Sequence, residues 1–296
     1  MHNIIITTEC VADLPRDILE KCAIEIIYYD VATEEGVFKD TAEIDARNLM
    51  EYINDGKRKA QSIVPRAVDY KNFFVKCLDK YDEIVHICIS SGISDAYENA
   101  VLARSMMGID GRRVRIVDSK HLSSGQGILA IEASKLRDDG AKGSEIVEKI
   151  EAMIPRISTS FIAYNADYLY YNGKVDKTIK TMCNALRLHP VLYMNEDGRL
   201  TIKRIYIGDY SKASKKYIKD LLKGYKKIDD EIGFVTYAGC SHDKITRIEN
   251  ELERYVKFRE VHEVQASATV SCNCGPNTFG VLFKQREDKH ETHINR

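Results

Sequence analysis

The chain has no excess of either charge: 44 lysines and arginines stand against 45 acidic residues, a net of −1. Without a global field, neither nucleic acid nor an anionic membrane is an expected partner. No run of 18 apolar residues occurs, so no membrane-spanning helix is expected. Residues 1–20 lack the basic start and apolar core of a secretion signal. The expectation is a soluble, cytoplasmic protein with no stable membrane insertion. The cysteines lack a framework as well. Cys10, Cys22, Cys77, Cys88, Cys183, Cys240, Cys272 and Cys274 are scattered, mostly in apolar segments, and read as reduced core thiols. Cys272 and Cys274 form one close pair, but a metal site needs two more ligands at recognisable spacing, so no metal is expected.

Catalytic signatures are also scarce. A serine nucleophile wants a histidine base and an orienting carboxylate. His86 sits inside an apolar run and reads as a core histidine. His121 follows Asp118-Ser119 in a loop, where a Ser-His-Asp grouping is the candidate to weigh. Gly125-Gln126-Gly127 lacks both the Walker lysine and the dinucleotide spacing, and reads as turn and helix-packing glycines. Tyr164, Tyr168, Tyr170 and Tyr171 form an aromatic patch, more simply core and domain interface than a stacking platform.

What is present is alternation. At 296 residues the chain is long enough for two domains with cores of their own. Residues 1–156 alternate strand and helix, predicting a parallel, doubly wound sheet with right-handed crossovers. Strands are expected at Asn3–Thr7, Ala23–Val31, 84–89 and Arg113–Val117, with helices over Pro15–Cys22, Asp45–Asn54, Asp69–Tyr81, 94–107, Ser123–Arg137 and Ser144–Pro155. Residues 157–284 read as a second, mixed α/β domain. Asn195-Glu196-Asp197-Gly198 marks a hairpin between Val191–Met194 and Arg199–Ile207, and a basic amphipathic helix covers Tyr210–Tyr225. Residues 285–296 read as a charged tail.

The most informative stretch runs from Ile87 to Ala100. A buried strand breaks at Ser90-Ser91-Gly92-Ile93-Ser94, and Ser94 can cap the helix that follows. Hydroxyls, loop amides and a helix N-terminus thus converge beyond the C-terminal edge of a strand, where ligands of open α/β sheets sit. Similar clusters follow the first strand at Thr7–Pro15, recur at Gln61–Pro65, and return from Asp118-Ser119 to Gly127. In a doubly wound sheet these would gather on one edge as a hydroxyl-rich, nearly uncharged pocket rim.

Taken together, these clusters resemble the DegV family, two-domain bacterial proteins that bind a fatty acid. Thr8–Pro15 matches the second half of the family's D-S-T-A-D-L-P-like segment. Ser62-Ile63-Val64-Pro65 with Asp69-Tyr70 fits its T-S-Q-P-like segment, and Ile89–Ala100 matches I-S-S-G-L-S-G-T-Y-Q-S-A closely. Asp118-Ser119 with Ser124–Gly127 fits D-S-x-x-x-S-x-G-x-G, one spacer residue longer. Tyr168–Val175 fits Y-L-x-x-G-G-R-I, Pro190-Val191-Leu192 and Asp197–Leu200 fit the hairpin, and Asn273–Asn277 with Gly280 falls on H-x-G-P-G. The resemblance covers nearly the whole chain.

It implies a long-chain fatty acid, C16–C18, held between the domains as ligand, with no cofactor. The carboxylate would rest on Ser62, on Ser90, Ser91, Gly92 and Ser94, and on Asn273. Thr8, Ser119, Ser124 and Lys174 are further pocket or partner contacts. The partner implied is a separate fatty acid kinase that phosphorylates the bound acid, so the chain itself would be a carrier without catalysis. The alternative is a hydrolase or transferase acting on a small acid or ester at the same serine-rich pocket. The sequence departs from the family pattern at four places: Thr8 and Glu9 replace Asp and Ser, Asn273 replaces histidine, and Lys174 replaces arginine. Asn273 keeps a donor but cannot be protonated, and Lys174 keeps a charge but loses the guanidinium fork.

Overall fold

A computed structural model describes residues 3–56, 60–171, 176–225 and 227–287. The first strand, β1 (Ile4–Glu9), is buried along its whole length. It leads through α1 (Arg16–Lys21) to β2 (Ile24–Ile27), β3 (Asp30–Thr33), β4 (Gly36–Lys39), α2 (Ala46–Gly56), β5 (Gln61–Ile63), α3 (Ala67–Leu78), β6 (Glu83–Cys88), α4 (Ala96–Met106) and β7 (Val114–Asp118). Helices α5 (Ser124–Asp138) and α6 (Gly143–Met153) close this half. Four strands form a parallel sheet in the order β2-β1-β6-β7, as the strand–helix alternation predicts.

The second half runs β8 (Ile157–Ser158), β9 (Ser160–Ile162), α7 (Asp167–Tyr171), α8 (Lys177–Ala185), β10 (Leu188–Met194), β11 (Leu200–Ile207), α9 (Tyr210–Lys223), β12 (Ile228–Ala238), α10 (His242–Leu252), β13 (Glu260–Gln265), α11 (Ala268–Cys274) and β14 (Thr278–Gln285). Its sheet is mixed, ordered β11-β10-β9-β14-β12-β13 with β8 added beside β14; only β12 and β13 run parallel. Among the described residues no strand is shared between the two large sheets, which divide at Ile157. Strand β14 runs to Gln285, one residue into the segment expected to be tail.

Helix α5 joins the halves. Ile128, Leu129 and Ile131 pack on Ile6, Val85 and Ile87 of the parallel sheet and, in the same cluster, on Phe234 and Leu282 of the mixed sheet. Gly125 and Gly127 permit that close approach: a Cβ on Gly125 would collide with the Thr159 side chain, and one on Gly127 with Leu14. They are helix-packing glycines, as expected.

Three features depart from the expectation. Ala23–Val31 is not one strand. It breaks at Tyr28-Tyr29, β2 stays in the parallel sheet, and β3 joins a separate antiparallel sheet of order β4-β3-β5. Ser62, expected in a loop, is therefore the middle residue of β5, opposite Val31. The third is α11, which packs through Ala268 and Cys272 against Val31 and Leu49. A helix from the second half thus seats on the small sheet of the first.

Candidate functional site

Between the two halves lies a cavity of about 470 Å³. Its apolar walls come from Val11, Val64, Ile89, Ile93, Leu122, Phe161, Leu200 and Val270. Its polar lining is Tyr29, Ser62, Ser91, Ser94, Asp95, Thr269 and Asn273. A narrow extension of about 30 Å³ shares Leu122, Phe161, Val270 and Cys274 and reaches Phe279 and Leu282 between the sheets. It touches none of Tyr29, Ser62, Ser94 or Asn273. The combination suits a long apolar chain with one polar end, and the volume lies within the usual range for small-molecule sites. A larger pocket of about 830 Å³ runs past Glu25, Lys39, Arg66, Asp69 and Lys76. Its charged walls do not suit an apolar chain, so the smaller cavity between the halves is the better candidate.

Five of the expected residues meet there: Ser62, Ser91, Gly92, Ser94 and Asn273. Asn273, on α11, donates to Ser62 Oγ at 3.4 Å and to Thr269 O at 2.8 Å. Ser94 Oγ accepts from the Ala96 amide at 3.3 Å, so it braces the start of α4 while facing the cavity. Ser91 is less free: its hydroxyl donates to Asp118, which also takes the Ser91 amide at 3.1 Å and the Lys120 ammonium at 2.7 Å.

The other hydroxyls are structural, which corrects the expectation of a continuous rim. Ser90 is fully buried and donates to Gly198 O at 2.7 Å. Thr8 donates to Ile87 O at 2.8 Å inside the sheet. Ser119 Oγ closes a tight turn on the His121 backbone, donating to its carbonyl and accepting from its amide, each at 3.1 Å. Ser124 Oγ lies 2.7 Å from Thr236 Oγ1 and ties α5 to β12. None of these four lines the cavity. Each hydroxyl has a buried backbone or side-chain partner that competes with any ligand. Lys174 lies outside the described residues.

Two contributors were not anticipated. Tyr29, 2% exposed, lines the cavity with its hydroxyl 3.5 Å from Ser94 Oγ. Burial, then the nearby Glu9, push its pKa well above the phenol range, so it stays a donor. Its sequence signal was a polar aromatic at the end of an apolar run. Thr269 enters on α11, whose start is held by two buried carboxyls. Asp13 accepts from Ser267 N at 2.7 Å, and Asp40 accepts from Ala268 N and Thr269 N, each at 2.8 Å.

Acid–base chemistry finds little support. His121 is buried, its Nε2 lies 3.0 Å from Ile154 O, and burial pushes its pKa down to about 4. It lines no part of the cavity and cannot serve Ser91 as a base. At Asp118 burial raises the pKa, but hydrogen bonds from Lys120 and Ser91 outweigh it and leave the carboxyl below its usual value, a poor base. Among the described residues Glu9, His86 and Cys88 are a ligand-type cluster. Glu9 already takes the Tyr70 hydroxyl at 3.0 Å, the Ile89 amide at 2.9 Å and the Gln126 amide, so the cluster reads as a hydrogen-bonded core.

Comparison with known proteins bears on the family and the fold. Residues 3–286 match the model of a family described as uncharacterised protein, DegV family. A DegV domain-containing protein of Caldanaerobacter subterraneus subsp. tengcongensis is 26% identical over 288 residues, covering 97% of this chain and 100% of that protein. A Thermotoga maritima protein whose structure is described as revealing fatty acid binding function superposes with a TM-score of 0.83 at 22% identity, covering 97% and 100% of the two chains. A stearic acid-binding protein from Eubacterium ventriosum gives 0.78 at 21% identity, over 96% and 98%. Among the described residues no helix is long and apolar enough to cross a membrane. With its parallel and mixed sheets, and a family match running nearly end to end, the chain belongs to the DegV family.

Proposed function

We propose that this protein is a carrier that holds one long-chain fatty acid between its two halves, without catalysis of its own. The observation that carries the reading is the asymmetry of the cavity: hydroxyl and amide groups gather around Tyr29, Ser62, Ser94 and Asn273, while apolar walls lead towards Phe279 and Leu282. The carboxyl head would meet Ser62, Ser94, Tyr29 and Asn273. The acyl chain would pass Ile89, Leu122, Phe161 and Val270 towards the extension. Fatty acid binding by structural neighbours supports the ligand class. Burial of ~14 methylenes at roughly 0.8 kcal/mol each gives about 11 kcal/mol before ordering and association costs. The chain therefore supplies the affinity and the polar end supplies orientation.

Native mass spectrometry with organic extraction, on protein purified from a bacterial host, tests this. The expected result is about one C16–C18 acid per chain. Protein that arrives empty and takes up no fatty acid when offered one removes the carrier reading. Presentation of the bound acid to a separate kinase is the natural use of such a carrier, and it is tested separately.

A further inference from the structure

Among the described residues, the head-group end of the cavity offers no positive charge. Among the described residues no lysine, arginine or histidine lines it, and the one charged lining residue, Asp95, is acidic. Asp95 is also the N-cap of α4, so the helix end that would favour an incoming anion already has one beside it. The first N–H groups of α11 are not open to a ligand either: they donate to the Asp13 and Asp40 carboxyls, both raised by burial. Glu9 is fully buried behind the Tyr29 and Ile89 lining, with His86 Nε2 3.6 Å away.

The cations and thiols around the site do not change this balance. Lys120 pairs with Asp118 at 2.7 Å, Arg66 with Asp69 at 3.1 Å and Lys39 with Asp30 at 3.9 Å. The stem of Arg199 passes close to Gly92, and both Arg199 and Asp95 are exposed, so their opposite charges stand at the mouth of the cavity and neither is buried with the head group. Lys244 is held by Asn277, through O at 3.2 Å and Oδ1 at 3.1 Å, and does not line the cavity. Cys10, Cys272 and Cys274 are pushed up by burial and stay thiols.

We infer that the cavity takes its fatty acid as the neutral, protonated carboxylic acid rather than as the carboxylate. The inference rests on the carrier reading and specifies the form of its ligand. An anion with no cation to pair with is strongly disfavoured away from water, and a group in that position takes up a proton instead. At pH 7 an ordinary carboxyl is neutral in only about one molecule in several hundred, a far smaller penalty than burying its charge. The neutral acid also fits the partners. Its carbonyl oxygen can accept from Tyr29 or Asn273, and its O–H can donate to Ser62 Oγ or Ser94 Oγ.

Palmitic acid labelled with carbon-13 at the carboxyl, bound to the full chain and followed by NMR from pH 5 to 9, tests this alongside affinities for palmitic acid and hexadecanol. The bound carboxyl should keep the protonated position at pH 7. Affinity for the acid should fall about tenfold per pH unit between pH 6 and 8, while that for the alcohol stays level. Asn273→Lys should move the resonance to the carboxylate position and flatten the pH dependence. A carboxylate resonance at pH 7 in the unmodified protein, or a level acid affinity, overturns the inference and leaves the carrier reading standing. Failure to take up either ligand removes the carrier reading, and the inference with it.

Discussion

The hydroxyl of Ser90 donates to the carbonyl of Gly198 at 2.7 Å, across 108 residues of chain and from one half of the molecule to the other. Gly198 has φ of +74°, and a Cβ there would meet Ser90 Oγ and the Lys120 stem. Gly92 closes the same seam, since a Cβ on it would strike the Gly198 carbonyl. The serine loop and the hairpin are therefore fitted to one another before any ligand arrives.

Ser90→Ala should accordingly cost stability rather than head-group binding. A buried carbonyl losing its donor costs about 1–3 kcal/mol. Gly198→Ala adds left-handed strain of roughly 1–2 kcal/mol and a collision. Urea unfolding of both single variants and the double variant should give non-additive losses, because removing the hydroxyl relieves the collision. A Ser90→Ala protein of unchanged stability that binds fatty acid tenfold more weakly would return Ser90 to the head group.

Ser62→Ala and Tyr29→Phe each remove one hydroxyl beside the proposed carboxyl. Neutral hydrogen bonds are worth about 0.5–1.5 kcal/mol, so each should weaken fatty acid binding roughly two- to tenfold. Thr8→Val and Ser119→Ala, outside the cavity, should leave binding within about twofold while lowering stability. Calorimetric titration with palmitic acid separates the pairs. Equal effects from all four would mean that the cavity lining does not define the head-group site.

The contrast between these pairs shows where the sequence was legible. The two large sheets follow from periodicity: β1 and β6 are apolar runs bounded by turns, and α9 carries its core stripe at helical spacing. The small sheet was hidden because β3, β4 and β5 are three or four residues long. No glycine or proline marks the break at Tyr28-Tyr29. Helix α11 was missed because seven residues rich in Ser, Thr, Asn and Cys are weak helix formers. Its first N–H groups find Asp13 and Asp40 more than 200 residues away. At the site, Ser62 and Ser124 look alike as letters. What separates them is a partner such as Thr236, which only the fold supplies.

Asp13 makes stability depend on pH. Burial raises its carboxyl from 3.8 to about 7, against the opposing hydrogen bonds from Ser123 and Ser267. Between those values the folded chain binds the extra proton, so stability falls as pH rises. The contribution is full below about pH 3.8, is lost progressively up to about 7, and is level above. Asp13→Asn cannot titrate and should flatten this slope, removing a difference on the order of a few kcal/mol. Chemical denaturation of both proteins at pH 4.5, 6 and 7.5 gives the comparison. Parallel pH profiles would show that Asp13 does not hold a proton in the folded state.

If the proposed carrier hands its acid to a kinase, Asn273 and Lys174 are the residues that bear on that step. Phosphoryl transfer to a carboxyl uses its anion as nucleophile, and a head group kept neutral beside Asn273 attacks poorly. A histidine at 273 can carry a charge next to that oxygen, and an arginine at 174 can hold an acidic partner or phosphate through a bidentate contact. Asn273→His combined with Lys174→Arg should therefore raise acyl-phosphate formation, assayed with a fatty acid kinase and ATP. The same pair should change palmitic acid affinity at pH 6 by much less, since the acyl chain dominates binding. Each single change should help less than both together, because one acts on the acid and the other on its partner. Full acyl-phosphate formation by the unmodified chain would show that these two departures are silent, and that the carrier feeds its kinase with Asn273 and Lys174 in place.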